Sequence, residues 1–123
     1  MKIIALIIVF LAVIGEYLYS RYSFSEGDLK VMNDQITYLS QNIWCESPAD
    51  CEALAVGDKP CGGPGKYIVS SKKNSNATEL KDVIQRYTDL DRKLNASNGS
   101  AGTCDIILEP TVDCIENTCT QQN

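Results

Sequence analysis

The sequence predicts an α+β fold, in which a small disulfide-stapled antiparallel sheet with two helices follows an N-terminal signal segment. Three observations support this prediction: six cysteines behind an apolar N-terminus, two stretches of helical apolar periodicity, and several short strand-like stretches bounded by turn residues. We assign residues 1–20 to a signal peptide or signal anchor and residues 21–123 to a single domain. A domain of about 100 residues has a modest core, which disulfides can compensate.

The N-terminal segment is an uncharged apolar run over residues 3–15, preceded by Lys2 and followed by Glu16. A helix of that length reaches roughly 20 Å, short of a hydrocarbon core of roughly 30 Å. This favours a secretory signal over a spanning helix. The alternative is an uncleaved anchor over residues 3–19, with Tyr17 and Tyr19 at the membrane interface. Either way, we expect a periplasmic or extracellular domain.

The first helix of the domain is predicted between residues 25 and 44. Apolar residues recur there at spacings of three and four, namely Leu29, Met32, Ile36, Leu39 and Ile43. Such spacing places them on one stripe of a helix. Ser25 and Asp28 resemble a capping box at its start. We expect the stripe to pack on the domain core, with a self-associating coiled-coil seam as the alternative.

A second helix is predicted from its apolar face, formed by Leu80, Val83, Ile84, Tyr87, Leu90 and Leu94. Charged and amide side chains share the opposite face, as in an amphipathic helix. Asn76 or Thr78 can cap its start, and Asn98-Gly99 can end it.

Five short strands are predicted at residues 53–56, 67–71, 105–109, 111–115 and 118–120. Gly57-Asp58 and Glu116-Asn117 supply turns, and Pro110 separates the third strand from the fourth. The order of elements favours an antiparallel sheet with helices on one face.

The cysteines form two clusters of three: Cys45, Cys51 and Cys61, then Cys104, Cys114 and Cys119. Because each cluster has an odd number of cysteines, full pairing needs either one or three bridges between the two clusters. One local pair can be argued from geometry, since a turn at Glu116-Asn117 places Cys114 opposite Cys119 within disulfide reach. Pairing Cys51 with Cys61 in the same manner leaves Cys45 with Cys104, and this is the connectivity that we predict.

The residue types disfavour catalysis and metal binding. The chain has no histidine, which excludes Ser-His and Cys-His nucleophile systems. No C-x-x-C pair occurs, which disfavours a zinc site or a redox-active pair. We therefore predict no enzyme activity, no metal and no cofactor. The net charge of −5 is dispersed and predicts no nucleic-acid partner.

The glycine-rich stretch over residues 57–67 is the candidate binding loop, with Lys59, Gly62, Gly63, Pro64, Lys66 and Tyr67 as its candidate residues. Our main interpretation is a rigid disulfide-anchored turn, whose glycines adopt positive φ or allow close backbone packing, and which leads into a strand where Tyr67 is partly buried. A protein-binding loop is the functional alternative. An anion cradle is a third, although Tyr67 after Lys66 departs from the P-loop spacing.

Three glycosylation sequons begin at Asn76, Asn95 and Asn98. They surround the second helix in stretches that we predict to be exposed loops. The sequence does not decide whether any of them is used.

From residue 44 to 119 the chain resembles small secreted or lipid-anchored bacterial cysteine-rich proteins of unassigned function. The resemblance is carried by Asp50-x-x-Ala53-Leu54, by Gly57-x-Lys59-x-Cys61-Gly62-Gly63-Pro64-x-x-Tyr67-x-x-x-Ser71, and by Cys104-x5-Pro110-x3-Cys114-x4-Cys119. It implies an exported α+β domain and no catalysis.

These observations predict a non-enzymatic protein-interaction module with an unknown protein partner. Contact with a membrane is expected only through an uncleaved N-terminal segment. The alternative is a protease-inhibitor-like protein that presents the loop from Pro60 to Tyr67.

Overall fold

The computed structural model describes residues 1–21, 25–98 and 104–122. The described residues form mixed helix and sheet, as predicted, with two separate two-stranded antiparallel sheets in place of a single sheet. In chain order the elements are α1 (Lys2–Arg21), α2 (Glu26–Leu39), β1 (Cys51–Val56), β2 (Lys66–Ser71), α3 (Ala77–Asn98), β3 (Thr111–Ile115) and β4 (Thr118–Gln122), with a 3-10 turn at Pro48–Asp50 before β1.

The N-terminal helix α1 is apolar and exposed. Within the described residues, the span Lys2–Tyr19 has the length and composition to cross a membrane, and none of it is buried in the protein. A signal sequence near the N-terminus meets the same conditions. The helix is therefore compatible with a signal or anchor segment.

Helix α2 begins where the capping box predicts. The backbone N–H of Ser25 donates to the Asp28 carboxylate at 2.7 Å. The helix ends at Leu39 instead of continuing to residue 44, because the backbone of residues 43–45 pairs with β4 and does not extend the helix. In that pairing Cys119 N–H donates to the Ile43 carbonyl at 2.8 Å. From this stripe, Ile36 and Leu39 are buried in a core cluster with residues of β1 and α3, as in the main prediction, and Ile36 is only 1% exposed.

Helix α3 begins after an asparagine-containing turn. Asn76 immediately precedes it, and its carbonyl accepts the first helical bond, from Leu80 N–H at 2.8 Å. Thr78 lies inside the first turn. The buried Asn74 joins this turn to α2, since its Nδ2 donates to the Leu39 carbonyl at 2.7 Å. The predicted stop at Asn98-Gly99 lies partly outside the described residues.

Two hairpins supply the strands. In the first, β1 pairs with β2, with Leu54 opposite Ile68. In the second, β3 and β4 are joined at Glu116-Asn117, whose φ angles of 50° and 59° are those of a type I′ turn. This hairpin is the predicted one. Among the described residues no strand pairs with residues 105–109, so the strand predicted there is not formed.

The first hairpin is the middle layer of the domain. On one side, Leu54, Val56 and Ile68 pack against the buried face of α2 and α3. On the other side, Val69 packs against the cysteine cluster that holds the second hairpin. Two disulfides, Cys45–Cys114 and Cys51–Cys119, thus lie between the two hairpins, and the helices cover the far face of the first.

Candidate functional site

Three disulfides join the two cysteine clusters: Cys45–Cys114, Cys51–Cys119 and Cys61–Cys104. The prediction that at least one bridge crosses between clusters is confirmed, and all three do. The specific connectivity that we predicted is wrong. The predicted local pairs follow from the geometry of each hairpin alone. The observed pairs depend on how one hairpin stacks on the other, because the stacking brings cysteines from distant segments together.

The sulfur atoms of Cys45, Cys51 and Cys119 lie within 4.8 Å of one another, and all three residues are buried. Such a cluster has the composition of a metal site only when its sulfurs are thiolates. Here each sulfur is bonded to another cysteine. In the oxidised protein the cluster is therefore a covalent core that positions the two hairpins.

The CGGP loop, residues 57–65, is folded back on itself between β1 and β2. Lys59 N–H donates to the Gly63 carbonyl and Gly62 N–H to the Lys59 carbonyl, both at 2.9 Å. Gly62 and Gly63 have φ angles of 94° and 82°, so positive φ is the one of the two predicted glycine roles that these residues have. Tyr67 is half-buried near the start of β2, also as predicted.

The base of the CGGP loop is held by one face of α3. Gly57 N–H donates to Thr88 Oγ1 at 3.0 Å, and Asp58 N–H donates to Asp91 Oδ2 at 2.9 Å. One turn further along the helix, the Asn95 side-chain amide donates to the Asp58 carbonyl. These anchors were not predicted from the sequence. Their signal is the spacing of polar residues 88, 91 and 95, which places them on one face of the helix.

The two candidate lysines are engaged within the protein. Lys59 Nζ donates to the Asp105 carbonyl at 2.7 Å, and Lys66 Nζ donates to Asn33 Oδ1 at 2.6 Å. Each lysine therefore ties the loop region to another part of the chain. This arrangement gives little support to an anion cradle, in which both ammonium groups would point at the ligand.

The CGGP loop is joined to a second exposed segment that the sequence analysis did not assign to a site. We call residues 105–109 the strap. The Cys61–Cys104 disulfide holds the residue before the strap, and the bond from Lys59 holds its first residue. Ile106 is 85% exposed and Leu108 is 81% exposed. Together, the CGGP loop and the strap form a covalently linked, partly apolar surface, which is the candidate site.

Two pKa shifts mark structural contacts outside the strap. Backbone N–H groups of Glu46 and Ser47 lower the pKa of Asp50, at the 3-10 turn before β1. Burial, followed by the nearby Asp91 carboxylate, raises the pKa of Tyr87. The Tyr87 ring lies beside Gly57, at the base of the CGGP loop.

An open cavity of about 210 Å³ lies between α2 and α3, lined by Met32, Arg86, Asp89, Leu90 and Lys93. Pockets for small-molecule ligands usually measure about 300–1,000 Å³. The cavity is therefore small for such a site.

The sequons lie in different environments. Asn76 is exposed before α3, whereas Asn95 is half-buried within the helix and donates its amide to Asp58. The sequon that begins at Asn98 extends outside the described residues.

Comparisons with protein-family models, with curated proteins and with solved structures found no match to this chain.

Proposed function

We propose that this chain is an exported protein whose stapled domain binds another protein through the CGGP loop and the strap, without catalysing a reaction. The observation that carries this proposal is the pair of links between the two segments. The Cys61–Cys104 bridge and the bond from Lys59 to Asp105 support the strap from the side of the loop.

Rigidity makes this surface suitable for binding. A segment that is already ordered loses little conformational entropy when a partner binds. The hydrogen bonds from Gly57 and Asp58 to α3 fix the base of the loop, and the disulfide transmits this order to the strap.

The apolar side chains on the strap supply the binding energy. Burying a large aliphatic side chain contributes about 1.5–3 kcal/mol. Ile106 and Leu108 are both more than four-fifths exposed, so a partner can bury most of their surface. Contiguous exposed apolar residues of this kind mark interaction sites in soluble domains.

The proposed location is the periplasm or the cell exterior. Disulfides persist in oxidising compartments, and α1 is compatible with a signal or anchor segment. If α1 is cleaved, the domain is released. If it is retained, α1 holds the domain at the membrane surface.

The inhibitor alternative has weaker support. A loop presented to a protease cleft needs an extended backbone, whereas residues 57–65 form turns closed by their own backbone hydrogen bonds. Inhibition of a protease that depends on Lys66 and Tyr67, and not on the strap, would favour that alternative.

The test is affinity capture with the oxidised full-length protein. We expect a partner to be recovered from envelope or culture fractions of the producing cell, and the double variant Ile106→Asp with Leu108→Asp to lose it. The matched control replaces Val31 and Tyr38 by aspartate, because these side chains on α2 are also exposed, at 67% and 69%. Capture that fails with the control and persists with the strap variant would contradict the proposal.

A further inference from the structure

We propose that the strap is an unpaired β-strand that is completed by an extended segment of the partner, and that this segment has an apolar centre flanked by basic residues. This inference rests on the proposed function. It adds the mode of binding and the chemistry of the partner.

The strap has the properties of a strand without a neighbour. Its composition, with two isoleucines and a leucine between turn signals, predicts a strand. Exposure alternates along it, from 85% at Ile106 to 38% at Ile107 and 81% at Leu108. This is the period of two that extended chains show.

The central backbone of the strap, at residues 106–108, is free to pair. Within the described part of the chain, the N–H and carbonyl groups of Ile106, Ile107 and Leu108 make no hydrogen bond. In strand addition, an extended peptide pairs with a row of unpaired backbone groups on an exposed strand. The main-chain hydrogen bonds supply affinity, and alternate side chains supply specificity.

Both ends of the strap are held, which limits the entropy that pairing costs. The Cys61–Cys104 bridge lies before it, and the half-buried Pro110 and then β3 follow it. Proline lacks an N–H group, so Pro110 cannot donate to a pairing that continues past Glu109. The pairing segment is therefore residues 105–109, a usual strand length.

The charges at the two ends select the partner. Asp105 and Glu109 are both exposed, and neither carboxylate forms an ion pair with a described residue. In an antiparallel pair of two straps centred on Ile107, Asp105 would lie opposite Glu109 at both ends. Like charges in opposed positions are destabilising, and opposite charges stabilise such a pair. The strap therefore disfavours a second copy of itself and favours a segment with basic flanks.

The experiment uses the oxidised full-length protein and three synthetic peptides as probes: valines flanked by lysines, valines flanked by glutamates, and the lysine-flanked peptide with N-methylated valines. Binding is followed by backbone amide NMR shifts and hydrogen exchange at residues 106–108. We expect the lysine-flanked peptide to bind roughly ten-fold more tightly than the glutamate-flanked one. N-methylation removes the main-chain donors of the peptide, so it should weaken the pairing and thereby reduce the exchange protection of the strap amides.

The variant Asp105→Asn with Glu109→Gln tests the charge argument separately. It should reduce the difference between the lysine and glutamate peptides to less than about three-fold while leaving pairing intact. Equal affinity of the unaltered protein for both peptides would overturn the partner chemistry. Unprotected amides at residues 106–108 with every peptide would overturn the strand mode.

Failure of this inference and failure of the proposed function give different results. If affinity capture recovers a partner that depends on Ile106 and Leu108 but no peptide pairs with the strap, the strand mode is wrong and the interaction function stands. If affinity capture depends on no strap residue, the proposed function is wrong, regardless of whether the peptides bind to the strap.

Discussion

Cys114 lies directly opposite Cys119 in the β3–β4 register, and each is bonded to a cysteine from the other half of the chain. One bridge leads to Cys45, in the segment beside β4, and the other leads to Cys51, at the start of β1. The second hairpin is therefore fixed covalently at two points, on the face of the first hairpin that the helices leave uncovered.

The buried and exposed bridges should contribute differently to stability. Cys51–Cys119 and Cys61–Cys104 join residues 68 and 43 apart, so each contributes about 4 kcal/mol by loop-closure entropy. Cys51 and Cys119 are also buried, so replacing both by alanine removes core contacts as well. We expect the free energy of unfolding, measured by urea denaturation, to fall more in this double variant than in the variant lacking Cys61 and Cys104. Equal losses would show that burial adds nothing.

Gly57→Ala should destabilise the domain by about 2 kcal/mol or more, which corresponds to a fall of roughly 8 °C in Tm. Gly57 has a φ of +83°, and an added Cβ would lie 2.9 Å from Asp91 Oδ2. Gly62→Ala is the matched control, since its φ is +94° but no atom lies within 4 Å of an added Cβ. We expect about 1 kcal/mol there, measured by thermal denaturation.

Valine in place of Gly62 or Gly63 should also lower the melting temperature, by several degrees. The cause is the positive φ at both positions, since a β-branched residue rarely adopts it. A variant that melts like the parent would contradict a structural role for these glycines.

Asn74→Ala should cost about 1–3 kcal/mol of folding free energy. Asn74 is 4% exposed, and its Nδ2 is the donor to the last carbonyl of α2, on Leu39. Its Oδ1 accepts Asn76 N–H at 3.0 Å, so one side chain joins the end of α2 to the start of α3. The exposed Asn76→Ala serves as the control in chemical denaturation. A larger loss from Asn76→Ala than from Asn74→Ala would contradict this role.

Stability should fall at alkaline pH partly through Tyr87. Its pKa is raised above the ordinary 10.0 in the folded state, by burial and by Asp91. Between the two pKa values the folded state keeps the proton that the unfolded state has lost. This contribution is therefore fully present below pH 10.0 and is lost as the pH rises through the higher folded value. Urea denaturation of the parent and of Tyr87→Phe at rising pH measures this contribution. If the free energy of unfolding depends on pH in the same way in both proteins, the assignment to Tyr87 is wrong.

Elements whose signals are local could be predicted from the sequence. Ser25 and Asp28 lie three residues apart and bond as a capping box, and Glu116-Asn117 forms the expected two-residue turn. The apolar face of α3 is equally local, because its spacing alone identifies Leu80 and Val83 as core residues. In each case the interacting groups are close in sequence.

Features that depend on packing between distant segments could not be predicted. The pairing of Cys45 with Cys114 follows from the stacking of two hairpins, and no spacing within either hairpin encodes it. The same holds for the anchor between Asp58 and Asp91, which are 33 residues apart. For the candidate site, the CGGP loop was predicted from its composition. The strap was predicted as a strand and not as part of a site, because its composition does not show whether another strand pairs with it.

The bridge pattern has a consequence for biogenesis. A chain that is exported from its N-terminus delivers Cys45, Cys51 and Cys61 to the oxidising compartment first, and their partners follow 69, 68 and 43 residues later. During that interval an oxidase can join these early cysteines only to one another, and every such bond is absent from the final fold. We therefore expect an isomerase that exchanges those bonds to speed the maturation of the exported chain.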